Sequence, residues 1–395
     1  MNICGIVCEY NPFHSGHAYQ ISEIRRLLGE DTAIVCAMSG DFVQRGEAAA
    51  YSKHDRARAA VMGGADLVLE LPLPWSIASA EGFARGGVGM LAATGVVTHL
   101  AFGSECGDTD ALTEIAGLLL RPELDGLIRK ALTSGLPYAA ARQRALERFT
   151  GRTFPQLERP NDILAVEYLK ALRVLGVSAE PLVIRRRGAA HDSGEAGPIV
   201  SASLLREKLR AGESLAQWIP APALHALEQG KGPANHEWLD IAVLSRLRFL
   251  PETAFAALPD VGEGLYHRVF RAVRAAATVE EAAAAAAAKR YPTARIRRIL
   301  LCAALGVRAG DSGGVPPYLR VLAANESGLA VLCRMEDACT RPVVTKPAKV
   351  RDMSTECQRI FELTAAAADL YCLGYENQAL RVGDADWRKS PFIVK

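Results

Sequence analysis

The chain has 395 residues, half of them hydrophobic and 23% charged, with 46 Lys plus Arg set against 44 Asp plus Glu. That composition excludes a disordered chain, and a formal net charge of +2 excludes a surface that is basic throughout, so a polyanion must be met by a local patch. The length exceeds what one core usually serves, and two domains are expected.

No stretch of about 18 apolar residues runs free of charge, so no membrane span is predicted and a cytoplasmic protein is expected. The nine cysteines include no Cys-x-x-Cys pair. Cys4, Cys8 and Cys36 fall in apolar runs, where a thiol acts as a small hydrophobe, and no protein-held metal is expected.

In chain order, the β-branched run ending at Val7-Cys8 breaks at Asn11-Pro12 and enters a helix at Gly16. Strand, loop and helix in that order place an anion at a helix start. His14 and His17, three apart, share a face there, and Gly16 between them lets a base or ribose approach the backbone. Two imidazoles so placed can donate to an α-phosphate as it is attacked.

The first helix carries Ile21, Ile24, Leu27 and Leu28. A buried strand over 32–38 follows, closed by Ser39-Gly40-Asp41, and the loop Asp41 to Glu47 is either a solvated turn or part of the substrate pocket. A helix over 52–62 holds His54, read as a surface or interhelix residue. A third strand over 66–71, a helix over 76–93 and a fourth strand over 96–102 continue the alternation that implies βαβ units and a parallel sheet. Gly103 ends that strand, as an ordinary turn or as a place where backbone meets ligand.

Residues 109–150 read as a helical insertion. Asn161, near the start of a further helix, is either a plain cap or an amide that reads a base or ribose edge. A fifth strand over 179–184 runs into Arg185-Arg186-Arg187, a phosphate clamp or a solvated charge run. Ser201, Ser203 and Arg206 open another helix, where hydroxyls, free amides and a guanidinium suit a β- or γ-phosphate.

From about residue 210 helical periodicity takes over. The predicted domains are therefore 1–210, an α/β Rossmann-like domain with a parallel sheet, and 211–395, mainly α-helical. Thr278 to Glu281 form a capping box and Ala282 to Ala288 continue it as helix. Lys289, Arg290, Arg295, Arg297 and Arg298 gather around Tyr291, either as a solvated face or as an RNA-backbone contact. The segments at Pro316 to Arg320 and Pro342 to Pro347 carry no chemistry readable from residue type.

His14-Ser15-Gly16-His17 resembles the His-x-Gly-His signature of the nucleotidyltransferase superfamily, and Ser201 to Arg206 resembles the Ser-x-Ser/Thr-x-x-Arg element paired with it. The longer Glu9 to His17 stretch is similar to that of the tRNA(Met) cytidine acetate ligase family, and the likeness extends over nearly the whole chain. The resemblance implies activation of acetate by ATP, with magnesium, to acetyl-adenylate and pyrophosphate. Transfer of the acetyl group to the wobble cytidine of elongator tRNA(Met) then follows.

The resemblance also implies ATP contacts at Val7, Cys8, Glu9, Tyr10, Asn11, Pro12, Phe13, His14, Ser15, Gly16, His17, Ala18, Tyr19 and Gln20, and at Gly103, Asn161 and Arg186. The arginine loop departs from the family pattern by lacking a tyrosine, so the contact falls on Arg186 or Arg187. Two rival classes stand beside this reading: a small-molecule nucleotidyltransferase, which the extra helical region disfavours, and a non-catalytic RNA-binding protein, which the intact His14, His17 and Arg206 disfavour.

Overall fold

The computed structural model describes residues 2–186, 200–262 and 264–394. Five strands run parallel: β1 (Ile3–Cys8), β2 (Ala33–Ser39), β3 (Leu67–Leu71), β4 (His99–Ser104) and β5 (Glu180–Arg185). Three more come from late in the chain: β6 (Leu319–Ala324), β7 (Val343–Val344) and β8 (Phe392–Ile393). The sheet order is β8-β6-β3-β2-β1-β4-β5, with β7 on β6, and β6 is antiparallel to β3.

The inner strands are apolar on both faces because helices cover both. Ala33, Val35, Ala37, Leu67 and Leu69 pack on one side with Phe83 and Val88. Cys4, Ile6, Ile34, Cys36 and Val68 pack on the other with Ile21 and Ile24 of the Ser15–Leu28 helix. The Ala80–Ala93 helix lies very close to the sheet: a Cβ on Gly87 would stand 2.5 Å from Val7 Cγ1.

The structure differs from the sequence reading in several places. The helix expected over 76–93 is a short 3-10 turn, Trp75–Ile77, followed by an α-helix from Ala80 that Ser79 caps. The fourth strand starts and ends later, so Gly103 and Ser104 lie inside it. The alanine helix stops at Ala286. Most consequentially, the sheet crosses the boundary expected at 210.

The physical reason lies in Arg320. A charge at the second position of Leu319 to Ala324 disguises a strand that is buried throughout. In register it faces Glu70, to which its guanidinium donates at 2.9 Å. Asp386 near the C-terminus accepts from both Arg320 and Lys53, and Lys53 also reaches Glu70 at 2.7 Å. His54, expected at a surface or between helices, donates its Nε2–H to the Asp386 carboxylate at 3.2 Å. Among the described residues no helix is long and apolar enough to cross a membrane.

Candidate active site

β1 delivers the chain to its carboxyl edge at Cys8, and the loop Glu9 to Phe13 turns it into the Ser15–Leu28 helix. Tyr10 sits at φ 45, a left-handed conformation rare for a bulky residue. Its buried ring is held against Phe13, with centroids 5.0 Å apart, and against His17 at 4.7 Å. Beneath the loop, the fully buried Arg56 donates to the carbonyls of Glu9, Ser39, Gly40 and Tyr51, tying the ends of β1 and β2 together. Nothing in the local sequence marks Arg56, because all its partners are backbone oxygens.

His14 is the N-cap of the helix: its Nδ1 accepts the Gly16 N–H at 3.0 Å, and His17 Nδ1 accepts the His14 N–H at 3.2 Å. The pair forms a reciprocal capping box built from imidazoles. An Nδ1 that accepts a backbone proton leaves the ring proton on Nε2 in the neutral tautomer. Burial pushes His14 down to about 4, with Arg186 adding to the effect. Burial likewise holds His17 well below the ordinary range, helped by His14 and Arg186. Both rings are therefore neutral near pH 7, each offering one Nε2–H as a donor.

These donors belong to a cleft lined by His14, Gly16, His17, Tyr19, Gln20, Gly103, Ile184, Arg185 and Arg186. The cleft brings together three separate segments of the sequence reading. Arg186 lies across Gly103, its Cγ 3.3 Å from where a Cβ would stand, and the cleft is narrow at about 40 Å3. A nucleotide entering it must move that side chain. Arg187, the alternative to Arg186, lies outside the described residues.

The remaining expected ATP contacts are placed differently. Val7 faces Gly87, and Cys8, Tyr10, Asn11, Pro12 and Phe13 are buried in the loop and its support. Ala18 packs into the core on the helix side of the sheet. Glu9 is a half-buried carboxylate whose Oε1 accepts the Gln44 N–H at 2.9 Å, and desolvation raises its pKa. Ser15 spends its hydroxyl on the Trp218 carbonyl at 2.7 Å.

Asn161 does not line the cleft; its amide donates to Glu105, whose carboxylate also accepts the backbone N–H groups of Asn161 and Asp162. Glu105 thus serves the first turn of the Pro160–Val174 helix, for which Asn161 is not the N-cap. Glu105 was not singled out from sequence, although its position two residues after Gly103 is the signal that could have found it.

Ser201 caps the Ala202–Arg210 helix by accepting from Leu204 N at 3.2 Å. Arg206, one turn on, joins the second motif to the first: Nη1 donates to Asn11 O at 3.0 Å, and Nη2 reaches Ser203 Oγ at 3.4 Å. Nη2 also pairs with Glu47 at 3.0 Å, so a phosphate seeking Arg206 competes with a carboxylate from the loop after β2.

The basic residues do not form one helix. Lys289 and Arg290 sit in a turn closed by the Ala288–Tyr291 bridge, and Arg295, Arg297 and Arg298 lie on the Thr293–Leu305 helix. Arg297 is engaged through both Nε and Nη2 with Glu280, and Arg295 donates to the Asp260 carbonyl. Burial lowers the pKa of Arg298.

A parallel sheet whose first loop sets two neutral imidazoles at a helix start, with an arginine from the fifth strand opposite, defines a nucleotidyltransferase of the His-x-Gly-His kind. A family model described as HIGH Nucleotidyl Transferase matches residues 1–386. The tRNA(Met) cytidine acetate ligase of Acetivibrio thermocellus is 35% identical over 416 aligned positions covering 100% of both chains, and that of Syntrophomonas wolfei is 35% identical with 99% of each covered. The crystal structure of Thermotoga maritima TmcAL bound with alpha-thio ATP shares 30% identity and a TM-score of 0.92, over 100% of this chain and 99% of that one. Its apo form gives a TM-score of 0.93 over the whole of both chains. The chain belongs to the tRNA(Met) cytidine acetate ligase family.

Proposed function

We propose that this protein activates acetate with ATP and transfers the acetyl group to the exocyclic amine of the wobble cytidine in elongator tRNA(Met). The observation that carries this reading is the cleft in which the His14 and His17 donors, Gly103 and Arg186 meet. An acetate oxygen attacks the α-phosphorus, the bond to the β-phosphate oxygen breaks, and pyrophosphate leaves with the electron pair. The two Nε2–H groups stabilise the charge that builds on the α-phosphate, and Arg186 and Arg206 hold the departing phosphates, with Ser201 and Ser203 at the helix start. The cytidine amine then attacks the acetyl carbonyl carbon, AMP leaves, and the amine loses a proton.

Magnesium accompanies ATP in this reading. Among the described residues no group of three His, Cys, Asp or Glu side chains is placed to hold a metal ion. In this reading residues 1–210 carry the ATP chemistry, and the RNA body meets the basic region from Lys289 to Arg298.

The test is ATP–pyrophosphate exchange across a panel of small carboxylic acids, followed by labelled-acetate incorporation into tRNA(Met). Acetate-dependent exchange with ATP-dependent labelling is expected. Labelling from acetyl-coenzyme A without ATP would overturn the reading, since a thioester donor has no use for a site that binds an α-phosphate and a leaving pyrophosphate.

A further inference from the structure

A second cavity, about 670 Å3, shares no lining residue with the histidine cleft and takes no part in the ATP chemistry. It has the volume of a small-molecule or nucleotide pocket. Its inner wall is made by the start of the Ala80–Ala93 helix and the first turns of the Pro160–Val174 helix. Both helices connect parallel strands, so these ends lie at the same carboxyl edge of the sheet as His14. A short chain of hydrogen bonds links the two places: Gln44 Nε2 donates to Ala78 O at 3.4 Å, and Gln44 N donates to Glu9 at the head of the histidine loop.

The outer walls are the Tyr138–Thr150 helix on one side and the Lys289–Arg298 region on the other. Each contributes a tyrosine ring with a guanidinium near it: Arg142 lies 6.0 Å from the Tyr138 centroid and Arg295 5.3 Å from that of Tyr291. Aromatic faces next to cations are how proteins hold unpaired nucleotides, the ring taking the base and the charge taking the backbone.

Two guanidinium groups here are also incompletely satisfied. Arg142 is only 4% exposed; its Nη1 donates to Glu167, but its Nε is buried with no acceptor among the described residues, and the same holds for Arg298 Nε. A buried N–H without an acceptor is costly, and both residues line this cavity. The two guanidinium groups bring positive charge to the cavity wall, where a ligand's phosphate or carbonyl oxygens would be drawn.

We propose that this cavity receives an unstacked nucleotide from the RNA loop that carries the acceptor cytidine, with its base against Tyr138 and Tyr291 and its oxygens toward Arg142 and Arg298. The proposal rests on the reading of the protein as an RNA acetyl ligase. It adds a base-binding site to the phosphate contacts of the basic turn. It also assigns a purpose to the helical insertion over 109–150, which the ATP site does not use.

The experiment uses the full chain and anticodon-arm hairpin RNAs carrying 2-aminopurine at each loop position in turn, with fluorescence read in the absence of ATP. Quenching at one loop position is expected. It should be lost in Tyr138→Ala/Tyr291→Ala, where hairpin affinity should fall roughly 5- to 150-fold per stacked base, and be retained in Tyr138→Phe/Tyr291→Phe. Tyr138 is 50% exposed, so its truncation leaves the core in place, and thermal melting of each variant checks the fold. Unaltered quenching and affinity in the alanine variant would overturn the proposal while leaving the ligase reading standing. Absence of acetate-dependent exchange in the unmodified chain would overturn the ligase reading alone, since the tyrosine-dependent quenching is read without ATP.

Discussion

His14 and His17 stack with ring centroids 3.8 Å apart, and each uses its Nδ1 to accept a backbone N–H of the same turn. One pair of side chains thereby caps the helix and presents two donors. Substitution can separate these tasks. His14→Asn keeps an N-cap residue of high preference but lacks the imidazole Nε2–H, so melting should stay near that of the unmodified chain while acetyl transfer falls by about two to three powers of ten. His14→Ala should lose the same activity and about 1 kcal/mol of stability besides. Near-normal turnover in the asparagine variant would leave His14 as a cap alone.

The same burial sets a dependence on pH. The unfolded chain protonates its histidines near 6.5, whereas folding holds His14 to about 4 and His17 well below its ordinary value. Between about 4 and 6.5 the unfolded state binds more protons, so the stability tied to the neutral rings is present above 6.5 and is lost as pH falls through that window. The slope is at most about 1.4 kcal/mol per pH unit for each ring. Denaturant unfolding at several pH values should show a shallower acid loss in His14→Gln/His17→Gln than in the unmodified chain. Parallel curves would remove the two rings as the source.

Asp386 is the hinge of a buried ion cluster that joins the C-terminal tail to the sheet. It accepts from Lys53 at 2.7 Å and from Arg320, and Glu70 is their second acidic partner. Asp386→Asn leaves the two buried cations with Glu70 between them and only Asp41, 3.8 Å from Lys53, besides, and should cost about 3–5 kcal/mol. Adding Lys53→Met restores a one-to-one Arg320–Glu70 pair, so the double variant should regain part of the loss. A double variant no better than the sum of its singles would mean the charges do not couple.

The strands β1 to β5 and the histidine turn were legible because their signals are local: apolar runs of strand length, a turn at Asn11-Pro12, and two histidines at helical spacing. What stayed hidden depends on partners far along the chain. Arg320 reads as an interruption until Glu70, 250 residues earlier, is seen opposite it. Asn161 reads equally as cap or ligand until Glu105 claims its amide. Arg297 looks like a free cation until Glu280 is found against it. Periodicity reports which face of an element is apolar, but not which charge answers which.

A triple replacement of Arg295, Arg297 and Arg298 would mix three environments. Arg297 makes a two-point pair with Glu280, Arg295 spends its donors on the Asp260 carbonyl, and a Cβ on Gly46 would meet Arg298 N at 2.7 Å, so that part of the helix packs against the loop bearing Glu47. Lys289 is exposed in the turn before them, where a phosphate backbone can reach it. Lys289→Ala should therefore weaken tRNA binding and make the plot of log affinity against log salt shallower by roughly 0.7 to 0.9 of a unit, the change for one lost phosphate contact. Arg297→Ala should leave that slope unchanged, because its charge is already neutralised by Glu280. Titrations of tRNA at several salt concentrations, on the two variants and the unmodified chain, decide between a phosphate-binding turn and a solvated one: an unchanged slope in the Lys289→Ala protein would assign the turn to solvent.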